Sequence, residues 1–198
     1  MKKVDCRGLN CPEPVLMTKK ALSDQPGRKL NVIVDNETAR ENVIRFARKQ
    51  GRDAQWQQEA NYFLVTIAGE TGQPAAEELP AQKGKSEGQS VLFISADEMG
   101  RGSRELGTIL MRNFIYTLTK REELPGAIVF MNSGVKLSIA DSPVTEELAE
   151  LEQKGVQILV CGTCLDYYAL KEKHQAGLVS NMYDISDLLL EAERVVTI

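Results

Sequence analysis

The amino-acid sequence predicts an α/β protein of two domains, a small two-layer domain followed by a larger three-layer domain. Segments with strand and helix periodicity alternate in both halves of the chain. Residues 69–89 separate the halves and contain one large aliphatic side chain, Leu79, and no hydrophobic period. The strands that follow are uninterrupted apolar runs, which are typical of a parallel sheet covered on both faces. We therefore expect domains at residues 1–68 and 90–198, joined by a flexible linker at 69–89.

The first half has the element order βαβαββ, which predicts an open two-layer α/β sandwich. Asn36 is expected to cap the second helix at its start, and Gly51 is expected to end it. The predicted elements are strands at 2–5, 29–35, 53–60 and 62–68 and helices at 13–24 and 37–50.

The second half predicts a three-layer α/β/α domain with a mostly parallel sheet. The long helix at its start places Leu106, Leu110 and Phe114 on one side. The predicted elements are strands at 90–95, 126–132, 156–161 and 194–198, a short segment at 177–181, and helices at 103–120, 143–155, 167–174 and 185–193.

Composition and charge narrow the class of protein. The chain has 198 residues, 42% hydrophobic and 26% charged, which is ordinary for a soluble globular protein. No apolar run approaches the ~18 residues of a membrane helix, and no apolar segment follows the N-terminal lysines as in a signal peptide. We therefore expect a cytoplasmic protein, in which cysteines are more often thiols, metal ligands or catalytic groups than disulfides.

The net charge of −4 is unevenly distributed. Residues 1–68 carry 12 Lys and Arg against 8 Asp and Glu, whereas residues 69–198 carry 12 against 20. This asymmetry favours either an anionic partner for the first half or attraction between the two halves.

The segment CPEP places Cys11 at the predicted start of the first helix. Pro12 and Pro14 fall in the first turn, where a missing N–H costs no helical hydrogen bond. Cys11 is then expected near the N-cap, close to the positive end of the helix dipole, which favours the thiolate unless the Glu13 carboxylate turns toward the sulfur. The alternative is a small buried residue before a helix, and this is the interpretation we adopt for Cys6.

The segment VDCRGLNCPEPVLMTKKAL resembles the signature of the TusA/SirA sulfur-carrier family. The resemblance covers residues 1–68. It implies that Cys11 carries sulfur as a persulfide and that no cofactor is required. The matching motif positions are Asp5, Gly8, Leu9, Cys11, Pro12, Glu13 and Pro14.

Cys161 and Cys164 form a Cys-x-x-Cys pair at the end of a predicted strand. The carboxyl ends of parallel strands are where functional sites form, and in such a pair one thiol can attack while the other resolves the product. A zinc site would need Cys6 and Cys11 from across the linker, or His174 ten residues further on, so we expect no metal. Two packed structural thiols are the remaining alternative.

Two polar segments are further candidates. The loop with Arg101, Ser103 and Arg104 predicts either an anion-binding loop or a plain helix-capping turn. Asn132, Ser133 and Lys136 follow the second strand of this domain, at the sheet edge expected to carry the thiols, and are candidates to line a pocket above them.

The second predicted helix carries a cluster of basic side chains. We interpret Arg45, Arg48, Lys49 and Arg52 as a solvated face. The alternatives are a docking surface for an acidic partner or for nucleic acid, although few aromatic residues accompany the charges.

Residues 90–198 resemble the DsrE/DsrF-like family of α/β sulfur-relay proteins, through the segments ADEMGRGSRELG, FMNSGVKL and GVQILVCGTCL. A TusA/SirA-like domain joined to such a domain resembles the YedF-like family, which is linked to selenium metabolism. The resemblance implies that Cys11 holds sulfane sulfur or selenium and relays it to or through Cys161 and Cys164. Cys161, nearer the strand end, is the preferred acceptor and Cys164 the resolving thiol.

The implied partners are a cysteine desulfurase or another sulfur or selenium donor, a downstream acceptor protein, and a second copy bound through the second domain. Neither a membrane nor nucleic acid is an expected partner. Two other functions stay open, a dithiol/disulfide reductase centred on the Cys-x-x-Cys pair and a regulatory or nucleic-acid-binding module that uses the basic helix.

Overall fold

The computed structural model describes residues 2–69 and 90–198. The chain divides into two compact units, and each contains one of these segments. Apart from Gly69, the linker predicted at 69–89 lies outside the described residues. Both units have α/β folds, as the sequence predicts.

The first unit is a four-stranded mixed sheet packed against two helices. Its elements are β1 (Lys2–Asp5), α1 (Glu13–Asp24), β2 (Leu30–Val34), α2 (Glu37–Lys49), β3 (Ala54–Gln58) and β4 (Phe63–Ile67). The strand order is β1-β2-β4-β3, with β1 parallel to β2 and the other pairs antiparallel. Val32 and Val65 pair across β2 and β4 and are fully buried, as is Val43 of α2.

The predicted ends of α2 are confirmed. The Asn36 side chain accepts a hydrogen bond of 2.8 Å from the Ala39 N–H and so caps the helix start. Gly51 follows the last helical turn with a φ of 71°, a left-handed conformation that glycine adopts without steric cost.

The second unit is a five-stranded sheet in which all neighbouring strands are parallel. The strand order is β8-β7-β6-β5-β9. Its elements are β5 (Ser90–Ile94), α3 (Arg104–Thr119), β6 (Ala127–Phe130), α4 (Thr145–Gln153), β7 (Gln157–Cys161), α5 (Gly162–Tyr167), β8 (Leu178–Ser180), α6 (Met182–Glu191) and β9 (Arg194–Thr197), with 3₁₀ helices at Asn132–Ser138 and Lys171–Lys173. The central strands β6 and β7 are almost completely buried, as uninterrupted apolar strands predict.

Two details of the second unit differ from the sequence-based expectation. The helix predicted at 167–174 is absent, because α5 starts at Gly162 and ends at Tyr167, and Ala169 takes a left-handed φ of 53°. In α3, the core receives Met111, Ile115 and Leu118, whereas Leu106 and Leu110 are exposed. This helix is apolar on more than one side, so residue spacing alone does not select the buried face.

No helix in the described parts of the chain combines the length and the apolar character needed to cross a membrane.

Candidate functional site

Cys11 lies in the loop between β1 and α1 and is partly exposed. The helix starts at Glu13, as predicted, and its N-cap residue is Pro12, one residue after Cys11. The Glu13 N–H donates to the Asn10 carbonyl oxygen at 2.9 Å, and the Val15 N–H donates to the Pro12 carbonyl oxygen at 3.0 Å. The backbone on both sides of Cys11 is therefore held by short-range hydrogen bonds, and the thiol stands at the positive end of α1.

The loop that carries Cys11 is closed by two carboxylates. The Gly8 N–H donates to Asp35 Oδ2 at 2.6 Å, and Gly8 has a left-handed φ of 73°. Arg7 donates from Nη2 to Asp5 Oδ2 at 2.7 Å and from Nε to Asp5 Oδ1 at 3.0 Å. These hydrogen bonds from Arg7 lower the pKa of Asp5 to about 2. In this structure the motif residues Asp5 and Gly8 shape the loop.

The remaining motif residues have distinct environments. Pro14 is buried in the first turn of α1, Leu9 and Pro12 are half-buried, and Glu13 is exposed.

Cys6 is fully buried, and its thiol lies 3.9 Å from Met17 Sδ. Burial raises the pKa of Cys6 to about 11, and the negative charge of Asp5 acts in the same direction. A buried thiol with a raised pKa is a poor nucleophile. Cys11 is therefore the thiol of the first unit that is suited to covalent chemistry.

The second candidate site lies at the carboxyl ends of the neighbouring strands β5, β6 and β7. The 3₁₀ helix Asn132–Ser138 follows β6, and Cys161 and Cys164 follow at the end of β7 and in α5. The Asn132 N–H donates to Cys164 Sγ at 3.2 Å. The structure therefore brings the predicted pocket segment into contact with the thiol pair.

The two thiols of this pair differ in exposure. Cys161 ends β7 and is only 2% exposed, within the apolar core of the second unit. Cys164 is partly exposed and packs against the edge of that core. None of the four cysteines, all of which are described, forms a disulfide.

Tyr168 and Asp97 contact the segment that contains Asn132, Ser133 and Lys136, although the sequence analysis did not single them out. The Tyr168 hydroxyl donates to Asn132 Oδ1 at 2.9 Å. Lys136 Nζ lies 4.8 Å from the centroid of the Tyr168 ring and 3.6 Å from Asp97 Oδ2. The Asp97 N–H donates to Ser133 Oγ at 3.3 Å. The Tyr168–Asn132 hydrogen bond joins residues 36 positions apart, so local spacing in the sequence gave no signal for it.

The glycine-rich loop before α3 has the contacts of a capping turn. Ser103 Oγ accepts a hydrogen bond of 3.4 Å from the Leu106 N–H. Arg104 lies 3.3 Å from Asp97 Oδ2 and 3.6 Å from Glu98 Oε2, so two carboxylates offset its charge. Arg101 is exposed. These contacts favour the capping interpretation over an anion-binding loop.

The basic face predicted on and after α2 is smaller than expected. Arg48 and Lys49 are exposed, but Arg52 is buried, and its Nη1 donates to the Arg28 carbonyl oxygen at 3.5 Å. The interpretation of Arg52 as a solvated residue was wrong, because the turn at Gly51 directs the chain back toward the domain.

Within residues 2–69 and 90–198, no group of three or more His, Cys, Asp or Glu side chains has an arrangement that could hold a metal ion.

Comparison with protein families gives one match within each of the two compact units. The family described as Sulfurtransferase TusA matches residues 2–68, and the DsrE/DsrF-like family matches residues 95–198. The chain belongs to the TusA family in its first half and to the DsrE/DsrF-like family in its second half.

Sequence relatives and a solved structure each match part of the chain. A candidate sulfur carrier protein of Methanocaldococcus jannaschii is 50% identical over 52 residues, which are 26% of this chain and 69% of the relative. The sulfur carrier protein TusA of Pseudomonas aeruginosa is 36% identical over 66 residues, which are 32% of this chain and 84% of the relative. The crystal structure of the ychN protein from E. coli covers 56% of this chain and 99% of its own, with 15% sequence identity and a TM-score of 0.44.

Proposed function

We propose that this protein is a sulfur carrier in which Cys11 holds sulfane sulfur as a persulfide. The observation that carries the proposal is the contrast between the two thiols of the TusA-family domain. Cys11 is partly exposed at the start of α1, whereas Cys6 is buried and has a pKa of about 11. The names of the relatives, which describe sulfur carriers, support the same function.

Loading of Cys11 is a thiol exchange with a persulfide on a donor protein, such as a cysteine desulfurase. The Cys11 thiolate attacks the outer sulfur of the donor persulfide. The S–S bond of the donor breaks, its electron pair leaves on the donor cysteine as a thiolate, and a new S–S bond forms on Cys11. No external oxidant or reductant is consumed.

The thiol pair of the second domain is the proposed recipient of this sulfur. Cys161 and Cys164 lie at the carboxyl edge of a parallel sheet, where Cys164 is partly exposed. Transfer repeats the same exchange, with Cys11 as the leaving thiolate, and takes place within one chain or between two chains. An acceptor protein downstream of this pair is part of the proposal.

The proposal extends to selenium, because a selenopersulfide forms and transfers by the same exchange. This extension comes from the resemblance to proteins linked to selenium metabolism. A competition assay with sulfur-loaded and selenium-loaded donor protein would measure which of the two elements the chain prefers.

The test is peptide mass spectrometry of the full chain after incubation with a cysteine desulfurase and cysteine. Trypsin cleaves after Arg7 and so separates Cys6 from Cys11. We expect one added sulfur on the Cys11 peptide, removable by reductant and absent from Cys11→Ser. The matched control Cys6→Ser should still load on Cys11.

Absence of added sulfur on Cys11 in the Cys161→Ser/Cys164→Ser chain, with a disulfide between Cys161 and Cys164 in the wild-type chain, would overturn the carrier proposal. The chain would then act as a dithiol/disulfide reductase, and its reductase activity would survive Cys11→Ser.

A further inference from the structure

We propose that Cys164 accepts the sulfur in the second domain and that Cys161 then resolves it, which releases sulfide. This inference rests on the proposed carrier function. It reverses the roles expected from the sequence, in which Cys161 was the acceptor and Cys164 the resolving thiol. The reaction releases sulfide and leaves a disulfide between Cys161 and Cys164.

Exposure decides which thiol meets the incoming sulfur. A persulfide on another domain or another protein must approach the attacking thiolate in line with its own S–S bond. Cys161 is 2% exposed and lies in the core at the end of β7, so such a donor does not reach it. Cys164 is partly exposed on α5 and is the accessible thiol of the pair.

A fixed hydrogen-bond donor already points at Cys164. The Asn132 N–H lies 3.2 Å from its sulfur. Asn132 has a left-handed φ of 47°, a conformation that asparagine tolerates better than most residues. The Tyr168 hydroxyl binds Asn132 Oδ1 at 2.9 Å and holds the residue in place. A backbone N–H held in this way stabilises negative charge on the sulfur without reorganisation.

A positive charge stands beside the same residues. Lys136 Nζ lies 4.8 Å from the Tyr168 ring centroid, and its ion pair with Asp97, at 3.6 Å, keeps it at this edge of the sheet. Lys136 and Asn132, whose N–H donates to Cys164 Sγ, therefore lie in the same 3₁₀ helix at this edge of the sheet.

The spacing of the two cysteines fits resolution by Cys161. Cys161 is the N-cap residue of α5 and Cys164 is the third residue of that helix. At the start of a helix, the side chain of the N-cap residue and that of the third helical residue reach toward each other, as in a capping box. A Cys161–Cys164 disulfide forms when their Cβ atoms come within about 3.5–4.5 Å. The burial that shields Cys161 from outside donors does not prevent this intramolecular attack.

The resolving step uses only the two cysteine sulfurs, the transferred sulfur and the proton of Cys161. The Cys161 thiolate attacks the inner sulfur, Sγ of Cys164, and forms the disulfide. The persulfide S–S bond breaks, and its electron pair leaves with the outer sulfur as hydrosulfide, which takes up the proton that Cys161 lost. The sulfane sulfur is reduced by two electrons and the two cysteines are oxidised by two. A dithiol of protein or small-molecule origin then returns the pair to its reduced form.

The experiment uses the full chain with Cys11→Ser in every arm, so its outcome does not depend on loading of Cys11. The probe is cysteine persulfide, and the readouts are released sulfide and mass spectrometry of the peptide that contains the pair. The Cys11→Ser chain should release sulfide in proportion to the Cys161–Cys164 disulfide formed. Added Cys161→Ser should trap a persulfide on Cys164 with no sulfide, and added Cys164→Ser should give neither product.

A persulfide on Cys161 in the chain that lacks Cys164, formed as fast as the trapped species on Cys164, would overturn the assignment. Sulfide release without Cys161 would overturn its role as the resolving thiol. Failure of the carrier function is recognised separately, because it concerns only the Cys11 peptide of the chain with Cys161→Ser and Cys164→Ser.

Two matched variants test whether Tyr168 holds Asn132 in place. Tyr168→Phe removes the hydroxyl that binds Asn132, while Tyr167→Phe alters a neighbouring ring that is 82% exposed. Loading of Cys164 should slow about fivefold in the first variant and stay unchanged in the second. Sulfide released per loaded persulfide should be the same in both, which a general loss of structure would not produce. Equal loading rates in the two variants would contradict the positioning role of Tyr168.

Discussion

Alkylation should label Cys11 faster than Cys6, the other thiol of the first domain, by a factor of about 10 or more. The perturbation is a short pulse of iodoacetamide on the folded chain, which reacts with thiolates. Burial raises the pKa of Cys6 from 9.0 to about 11. At about pH 8 this lowers the thiolate fraction from about one in ten to about one in a thousand, a decrease of about a hundredfold.

The fully buried position of Cys6 adds to this factor. Its side chain has no exposed surface, so the reagent reaches it only after local opening of the domain. A thiolate whose pKa is two units higher is about tenfold more nucleophilic, so the net slowing of Cys6 relative to a thiol with an ordinary pKa is about tenfold before burial is counted. Cys11, which is partly exposed, needs no such opening.

The assay is quantitative peptide mass spectrometry, in which tryptic cleavage after Arg7 gives Cys6 and Cys11 separate peptides. In denaturant the two peptides should label at similar rates, which controls for their different sequences. Equal labelling of Cys6 and Cys11 in the folded chain would refute the reasoning that assigns the carrier role by burial.

Three further perturbations test the structure around the two sites. The Asp5 carboxyl should titrate by NMR with a pKa of about 2, and this pKa should return toward its ordinary value in Arg7→Ala. Because folding lowers the pKa of Asp5, the Asp5–Arg7 pair stabilises the fold at pH values above the ordinary pKa. This stabilisation is lost as the pH falls through about 2. An unchanged Asp5 titration in the variant would contradict this origin of the shift. Gly134→Ala should destabilise the second domain by about 1–3 kcal/mol in urea, because the new Cβ would overlap the Ile94 carbonyl oxygen. A neutral effect would mean that the segment after β6 moves easily. Phe130→Ala should cost about 3–5 kcal/mol in the same assay, since the side chain is fully buried in the core, and a cost below about 1 kcal/mol would contradict that packing.

The order of strands and helices was predictable because each depends on local periodicity and on capping residues such as Asn36 and Gly51. The helix after the Cys-x-x-Cys pair was misplaced because a single left-handed residue, Ala169, ends the helical path, and alanine gives no sequence signal for that conformation. The buried face of α3 was missed because Leu106 and Leu110 are as apolar as the residues that pack inside.

The candidate site was predictable only in part, because some of its features depend on residues that are far apart in the sequence. The position of the thiols at a strand end follows from the alternation of strands and helices. The contact of Cys164 with Asn132 joins residues 32 positions apart, and the different exposure of Cys161 and Cys164 depends on how the sheet and helices pack. Neither is encoded in local spacing.

The most direct test of the account follows heavy-isotope sulfur from labelled cysteine, through a cysteine desulfurase, into the full chain with Cys161→Ser. The account predicts that the label enters the Cys11 peptide first and then collects on Cys164, and that Cys11→Ser abolishes both signals. Label that reaches Cys164 at the same rate without Cys11 would contradict the central claim that Cys11 is the carrier.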